Sequence, residues 1–247
     1  MKKQAGLRNS LLSLAVLLAG QAVAASSEVT YPAYFEKISP IVMQDDLAKI
    51  LGSSNGLFEY TFADAAKGAG HVCPAVAGAW METRVALQAL YGEETPVRGR
   101  IHVILKGSED DGFTGAMANV IGMITGATRK QGFGGQFGAP EHKRQDLLAF
   151  KNDNSEGPMY AIFTRLDAAL KPEKCVKVVY NPQAVPFKEE IKPLMAKVKK
   201  GEASDGEKAE FGTLWQERVE RMIITNFEEG RNAEMIRLEE CNVADHF

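Results

Sequence analysis

An α+β fold is predicted by the order in which helical and extended patterns follow one another. An Ala-rich helical stretch, Pro74 to Tyr91, precedes an alternating β-branched run, a second Ala- and Gly-rich helical stretch and then three extended runs. Strands are too few and too irregularly interleaved with helices for a doubly wound sheet. The expected core is therefore helix–strand–helix–three strands with a mixed sheet, followed by a helical C-terminal tail.

Each element has a local reason. Lys2, Lys3 and Arg8 open the chain, an apolar run extends from Leu11 to Gly20, and Ala22-Val23-Ala24 supplies small residues at the −3 and −1 places of a cleavage site. These are the three parts of a secretory signal, expected over 1–24. Its apolar run of roughly ten residues is about half what a membrane-spanning helix needs, and no later stretch is long and apolar enough either. Residues 25–60 read as a short leader and one or two helices, broken at Gly52-Ser53-Ser54-Asn55-Gly56. Pro74 suits a first helical position, where its missing N–H costs nothing, and Gly92 ends that helix. Arg100–Lys106 reads as a strand, Thr114–Thr125 as a helix and Gly126–Gly138 as a Gly-rich loop. Asp146–Phe150, Met159–Arg165 and Cys175–Tyr180 read as strands.

Beyond Tyr180 the composition shifts. Asn181-Pro182 and Val185-Pro186 punctuate the chain, and Lys and Glu dominate 188–208. Glu207–Arg231 reads as a long amphipathic helix with Phe211, Leu214, Trp215, Val219, Met222 and Ile223 on one face. The expected organisation is a signal over 1–24, an α+β domain over 25–180 and a helical extension over 181–247. The apolar stripe of the extension either packs back on the core or pairs with a second copy.

The 247 residues are 45% hydrophobic and 25% charged, ordinary globular values. The formal net charge of −3 includes three positive residues in the leader, so the rest carries about −6. That balance argues against a nucleic-acid binder, which gathers positive charge on one face. Three cysteines, Cys73, Cys175 and Cys241, are an odd count. In an oxidising compartment one must be unpaired, metal-bound or reactive. Cys175 and Cys241 can pair and leave Cys73 over, although spacing alone does not decide the pairing.

His71 and Cys73 stand two apart just before a helix N-terminus. In an extended segment such side chains point to the same side, so imidazole and thiolate can reach one metal ion. The positive end of the helix also favours a thiolate. The string Gly70-His71-Val72-Cys73-Pro74-Ala75, with Gly78 and Arg84 following, resembles the opening of the FmdE/FwdE-like family, named for one component of formylmethanofuran dehydrogenase. Members typically open with G-H-x-C-P-G and a small-residue helix bearing Gly and Arg. A second family landmark, D-A-I-Q-x-x-T-G-C-T, resembles Asn119–Thr128. The resemblance spans about 65–180, and it departs where Asn119, Gly122 and Ala127 replace Asp, Gln and Cys. It implies an α+β domain, metal binding at the His-x-Cys end and often a homodimer. It does not imply the formylmethanofuran reaction, which other components of a cytoplasmic complex catalyse.

The remaining candidates follow from residue type. His142, after the Gly-rich loop, is the candidate third ligand beside His71 and Cys73. His102 alternates with Ile101 and Val103 and so faces away from them, and His246 lies in the tail. Glu109-Asp110-Asp111 suits a helix N-terminus or, alternatively, hard oxygen ligation. Gly132–Gly135 has neither a feeding strand nor a following Lys-Ser/Thr, so it reads as a lid rather than a phosphate loop. Met117 and Met123 read as core, with a soft copper site as the alternative. G-x-S-x-G, H-E-x-x-H and C-x-x-C are all missing. The expectation is a periplasmic protein binding a transition metal, zinc first, or a haem or other metallo-cofactor, with a homodimer among the expected assemblies. The alternative is a cysteine-dependent enzyme in which His71 and the helix end activate Cys73.

Overall fold

The first turns of helix α3 (Pro74–Tyr91), Ala75–Met81, are apolar on every side, the pattern of a buried helix, and every residue from Ala75 to Thr83 is buried. The computed structural model describes residues 29–247 apart from 136–138, 154, 156, 231 and 232; the expected signal over 1–24 lies outside them. Together with α4 (Thr114–Thr125), α3 packs on a five-stranded sheet. Its strands are β3 (Ile101–Lys106), β4 (Leu148–Lys151), β5 (Met159–Leu166), β6 (Pro172–Tyr180) and β7 (Ile236–Glu239), in the order β4-β3-β5-β6-β7. β3 and β4 run parallel across α4, and the other neighbours are antiparallel. The fold is α+β with a mixed sheet, and the helix–strand–helix–three-strand order stands as the sequence predicts.

Along β3, Ile101, Val103 and Leu105 are buried while His102, Ile104 and Lys106 are half-buried. The register sets His102, Thr164 and Cys175 side by side on that second face. The C-terminal segment covers it: Cys241 is disulfide-bonded to Cys175, and the Phe247 ring lies 4.9 Å from His102.

Ahead of α3 the helical expectation needs correction. Residues 41–44 and 57–60 are strands, β1 (Ile41–Gln44) and β2 (Leu57–Tyr60), paired as an antiparallel two-stranded sheet around α1 (Asp46–Ile50). Four-residue strands are too short to display a period of two against a helical background. The segment 62–69 is a helix, α2 (Phe62–Ala69), begun by a capping box in which Thr61 and Asp64 satisfy each other's backbone N–H.

Residues past 181 are not purely helical. α5 (Ile191–Lys200) and α6 (Asp205–Glu220) lead into a π-helical turn, Arg221–Glu228, and then into β7. The apolar stripe packs back: Val219, Met222 and Ile223 are fully buried. Arg218 donates to the Val185 and Pro182 carbonyls at 2.6 Å each. Pro32–Phe247 forms one compact unit. No helix among the described residues is long and apolar enough to cross a membrane.

This packing can be tested in two ways. Burying each of Val219, Met222 and Ile223 contributes roughly 1.5–3 kcal/mol, and together they approach the net stability of a typical domain, about 5–15 kcal/mol. A chain ending at Tyr180 should therefore lack a cooperative thermal transition by circular dichroism; a sharp transition would show that 181 is a true domain boundary. Gly99 has φ +83°, and a Cβ there would lie 2.0 Å from Arg144 Nη1 and 2.4 Å from the Glu141 carbonyl oxygen. Gly99→Ala should cost roughly 2–5 kcal/mol in urea unfolding, from left-handed strain plus overpacking.

Candidate functional site at the His-x-Cys link

α2 ends at Gly70 in the left-handed conformation, φ +73°, and α3 starts at Pro74, so His71–Cys73 is a short link between two helices. Cys73 is the N-cap, extended at φ −138° and ψ 173°, and its side chain makes no capping bond. His71 is exposed, Val72 buried and Cys73 half-buried. Val72 turns into the core, Cys73 packs against it from the side, and His71 stands in solvent.

Side chains from distant elements fix the backbone of the link. The Val72 carbonyl accepts from Trp215 Nε1 at 3.0 Å and from Gln216 Nε2 at 3.2 Å. Gln216 Oε1 in turn accepts from the Tyr34 hydroxyl at 2.8 Å. The Pro74 carbonyl accepts from the Tyr180 hydroxyl at 2.7 Å. Tyr180 reaches it by lying against Gly78, where a Cβ would come within 2.3 Å of the ring. Arg84, on the same helix, pairs with Glu228 and lies 5.2 Å from the centre of the Phe227 ring. It pins the π-helical turn to α3.

The donors themselves are few. His71 Nδ1 lies 3.0 Å from the Ala69 carbonyl oxygen. A carbonyl can only accept, so this bond needs the proton on Nδ1 and leaves the Nε2 lone pair free. Metal-bound histidines are commonly oriented in this way. Cys73 is the free thiol, because Cys175 and Cys241 pair with each other. Among the described residues no three His, Cys, Asp or Glu side chains are placed to hold a metal ion, so His71, Cys73 and His142 do not form a set. His142 is buried in the turn Pro140–His142, which Arg100 draws in through Glu141 at 3.0 Å and Arg144 through the Glu141 carbonyl at 2.6 Å. One thiolate and one imidazole do not fit a closed structural zinc site, which needs four donors. An open zinc site has about three protein donors, so any metal held here would need at least one more donor from outside the link.

Other candidates take structural roles. Asp111 accepts from the Phe113 N–H and the Thr114 hydroxyl at the start of α4, and Glu109 pairs with Arg129. Met117 is core. The Gly-rich loop is tied to the segment after it, with Thr128 N–H bonded to the Arg144 carbonyl and Arg144 N–H to the Phe133 carbonyl. His102 is half-buried as expected, and burial first, then His246, pushes its pKa down to about 4.

Glu82 was not anticipated. It is fully buried on α3, and neither carboxyl oxygen has a hydrogen-bond partner among the described residues. Burial drives its pKa well above the ordinary carboxylate range. Burial, and then the charge of Glu82, raise the Tyr180 phenol as well. The available signal was a single acid directly after the apolar run Ala75–Met81. No family model matches this chain, and no curated protein or solved structure matches it.

At low pH the Glu82 carboxyl is neutral both folded and unfolded, and its ionisation adds nothing to the cost of burying it. Above the ordinary carboxylate range the unfolded chain ionises while the fold must retain the proton, so stability drains away as pH climbs toward the raised folded value. Glu82→Gln removes that loss. Denaturant unfolding at a series of pH values should show the variant's advantage widening from acid to neutral pH. A constant difference would show that Glu82 does not titrate in this way.

Proposed function

We propose that the chain is an exported, periplasmic protein that binds a transition metal, zinc first, or a metallo-cofactor such as haem, through His71 and Cys73. The carrying observation is the arrangement of the link. An exposed imidazole is oriented by the Ala69 carbonyl, and a free thiol stands two residues on, along a backbone held by Trp215, Gln216 and Tyr180. The FmdE-like string on these residues supports the same reading. Because the link offers two donors, the remaining positions fall to water, to the cofactor or to a second copy in a homodimer. The Cys175–Cys241 disulfide and the signal-like leader support a compartment outside the cytoplasm.

A second reading, a cysteine-dependent enzyme, is favoured by one observation. Cys73 caps an 18-residue helix with its side chain free of any capping bond, and His71 lies two residues before it. Metal content separates the two. Because a metal site is a cooperative unit, Cys73→Ala, His71→Ala and the double variant should each lose most of the bound metal, to nearly the same extent. Retention should also fall as pH falls, since protons compete for both donors. The readout is elemental analysis together with the absorption spectrum, on protein isolated without chelators. Wild-type protein with no stoichiometric metal or metallo-cofactor would overturn the metal reading and leave the thiol one.

A further inference from the structure

The second face of the sheet is closed by a strap, Cys241–Phe247, that one covalent bond fastens. Continuing the β6–β7 register, in which Lys177 faces Glu239, brings Cys175 opposite Cys241, and the disulfide joins them there at a Cα–Cα distance of 5.5 Å. From Cys241 the chain leaves the ladder, makes a 3₁₀ turn, Val243–Asp245, and ends with the Phe247 ring 4.9 Å from His102. It thus crosses the face from β6 to β3, and Thr164 on β5 stands between the two ends.

Apart from the disulfide, the strap is lightly held. No residue from Cys241 to Phe247 is buried, and Phe247 is 56% exposed. The N–H groups of Ala244, Asp245 and His246 bond to Asn242 and Val243, within the strap itself, and these bonds do not fasten it to the sheet. Beneath it Thr164 is fully buried, and neither its hydroxyl nor His102 Nδ1 has a hydrogen-bond partner among the described residues. Covering polar groups without partners works against the closed position, and the disulfide opposes that tendency. β7 is anchored differently. Met235 before it is fully buried, the Met235 carbonyl accepts from the Asn181 N–H at 2.7 Å, and the strand pairs with β6. Breaking the disulfide therefore frees 241–247 and stops at β7.

The disulfide is also within reach. A groove of about 670 Å³ runs along it, walled by both cysteines with Lys174, Leu238, Glu240 and Val243. Cys175 is buried and Cys241 half-buried, so access favours attack at Cys241. We propose that Cys175–Cys241 is a thiol–disulfide exchange site, whose reduction by a protein dithiol releases the strap and uncovers His102 and Thr164. One thiolate of the dithiol attacks Cys241 Sγ, and the electron pair of the broken S–S bond goes to Cys175 Sγ. The second thiolate then displaces Cys241 Sγ from the mixed disulfide. The dithiol ends as a disulfide, having given two electrons and two protons to the two cysteines. The uncovered face offers an imidazole beside a hydroxyl.

The test uses the full chain carrying Cys73→Ala, so that only the disulfide responds and the metal reading plays no part. Dithiothreitol is the probe, without denaturant. Alkylation followed by mass spectrometry should find Cys175 and Cys241 both modified, while circular dichroism still shows a cooperative thermal transition. The amides of 242–247 should exchange with deuterium at least about tenfold faster after reduction, and those of Ile236–Glu239 should stay as slow as before. The His102 imidazole is held at a pKa of about 4, first by burial and then by His246. By NMR it should titrate about one unit higher or more, since release admits water and takes His246 away. Cys241→Ser should reproduce the faster exchange and the raised titration without reductant. A disulfide untouched until the protein is denatured, loss of the cooperative transition on reduction, β7 amides that speed up with the strap, or an unchanged His102 titration would each overturn the proposal.

Discussion

Asp45 is the buried acid on which the arrangement of the other elements depends. Its Oδ1 accepts the Ala48 N–H that starts α1 and a bond from Arg144, and its Oδ2 pairs with Arg98 at 2.7 Å. Arg98 also donates to the Met123 and Ile124 carbonyls, among the last of α4, which a helix cannot satisfy internally. Arg144 holds the turn that carries Glu141. One carboxylate thus ties the two-stranded sheet to the end of α4 and to the loop before β4. Burial alone would raise the Asp45 carboxyl, but the Ala48 N–H and the two guanidiniums outweigh it and keep the group ionised. Removing one partner of such a buried pair typically costs about 3–5 kcal/mol, because the remaining charge is left uncompensated. The end of α4 held in this way belongs to a helix that also packs on α2, whose end at Gly70 is where the His-x-Cys link begins.

The link is equally dependent on the far end of the chain. Trp215 and Gln216 are 143 and 144 residues from the Val72 carbonyl they bind. Their helix is the stripe-bearing segment, and its packing on the core accounts for both its apolar face and its polar contacts. Tyr180 and Gly78 make the matching contact from the sheet. The geometry of His71 and Cys73 is therefore a property of the whole unit and not of the local motif.

Long-range contacts of this kind set the limit of what could be read in advance. The core order was legible because α3, β3, α4 and β5 each carry a long pattern, and Pro74 and Gly92 mark helix ends. β1 and β2 were not, being four residues each with a helix between them. β7 was hidden for a different reason: Ile236–Glu239 alternates too briefly to stand out, and its pairing with β6 is set by a chain reversal that no local pattern records. At the site, the donors His71 and Cys73 were accessible from residue type, while the pairing of the other two cysteines stayed open until the fold brought them together. The burial of His142, the role of Tyr180 and the isolation of Glu82 were not accessible, since each depends on contacts made across the fold.

The position of β7 also has a bearing on how the molecule is made. A chain that emerges from its N-terminus presents β6 with one neighbour, β5, and a bare edge until Ile236–Glu239 arrives. Cys175 waits 66 residues for Cys241. The second face of the sheet stays uncovered for the same interval, because its cover is the segment from Cys241 to Phe247. Completion of this fold is therefore a late event, possible only once the chain through Cys241 is present. During that interval the exposed sheet edge is a natural target for chaperones.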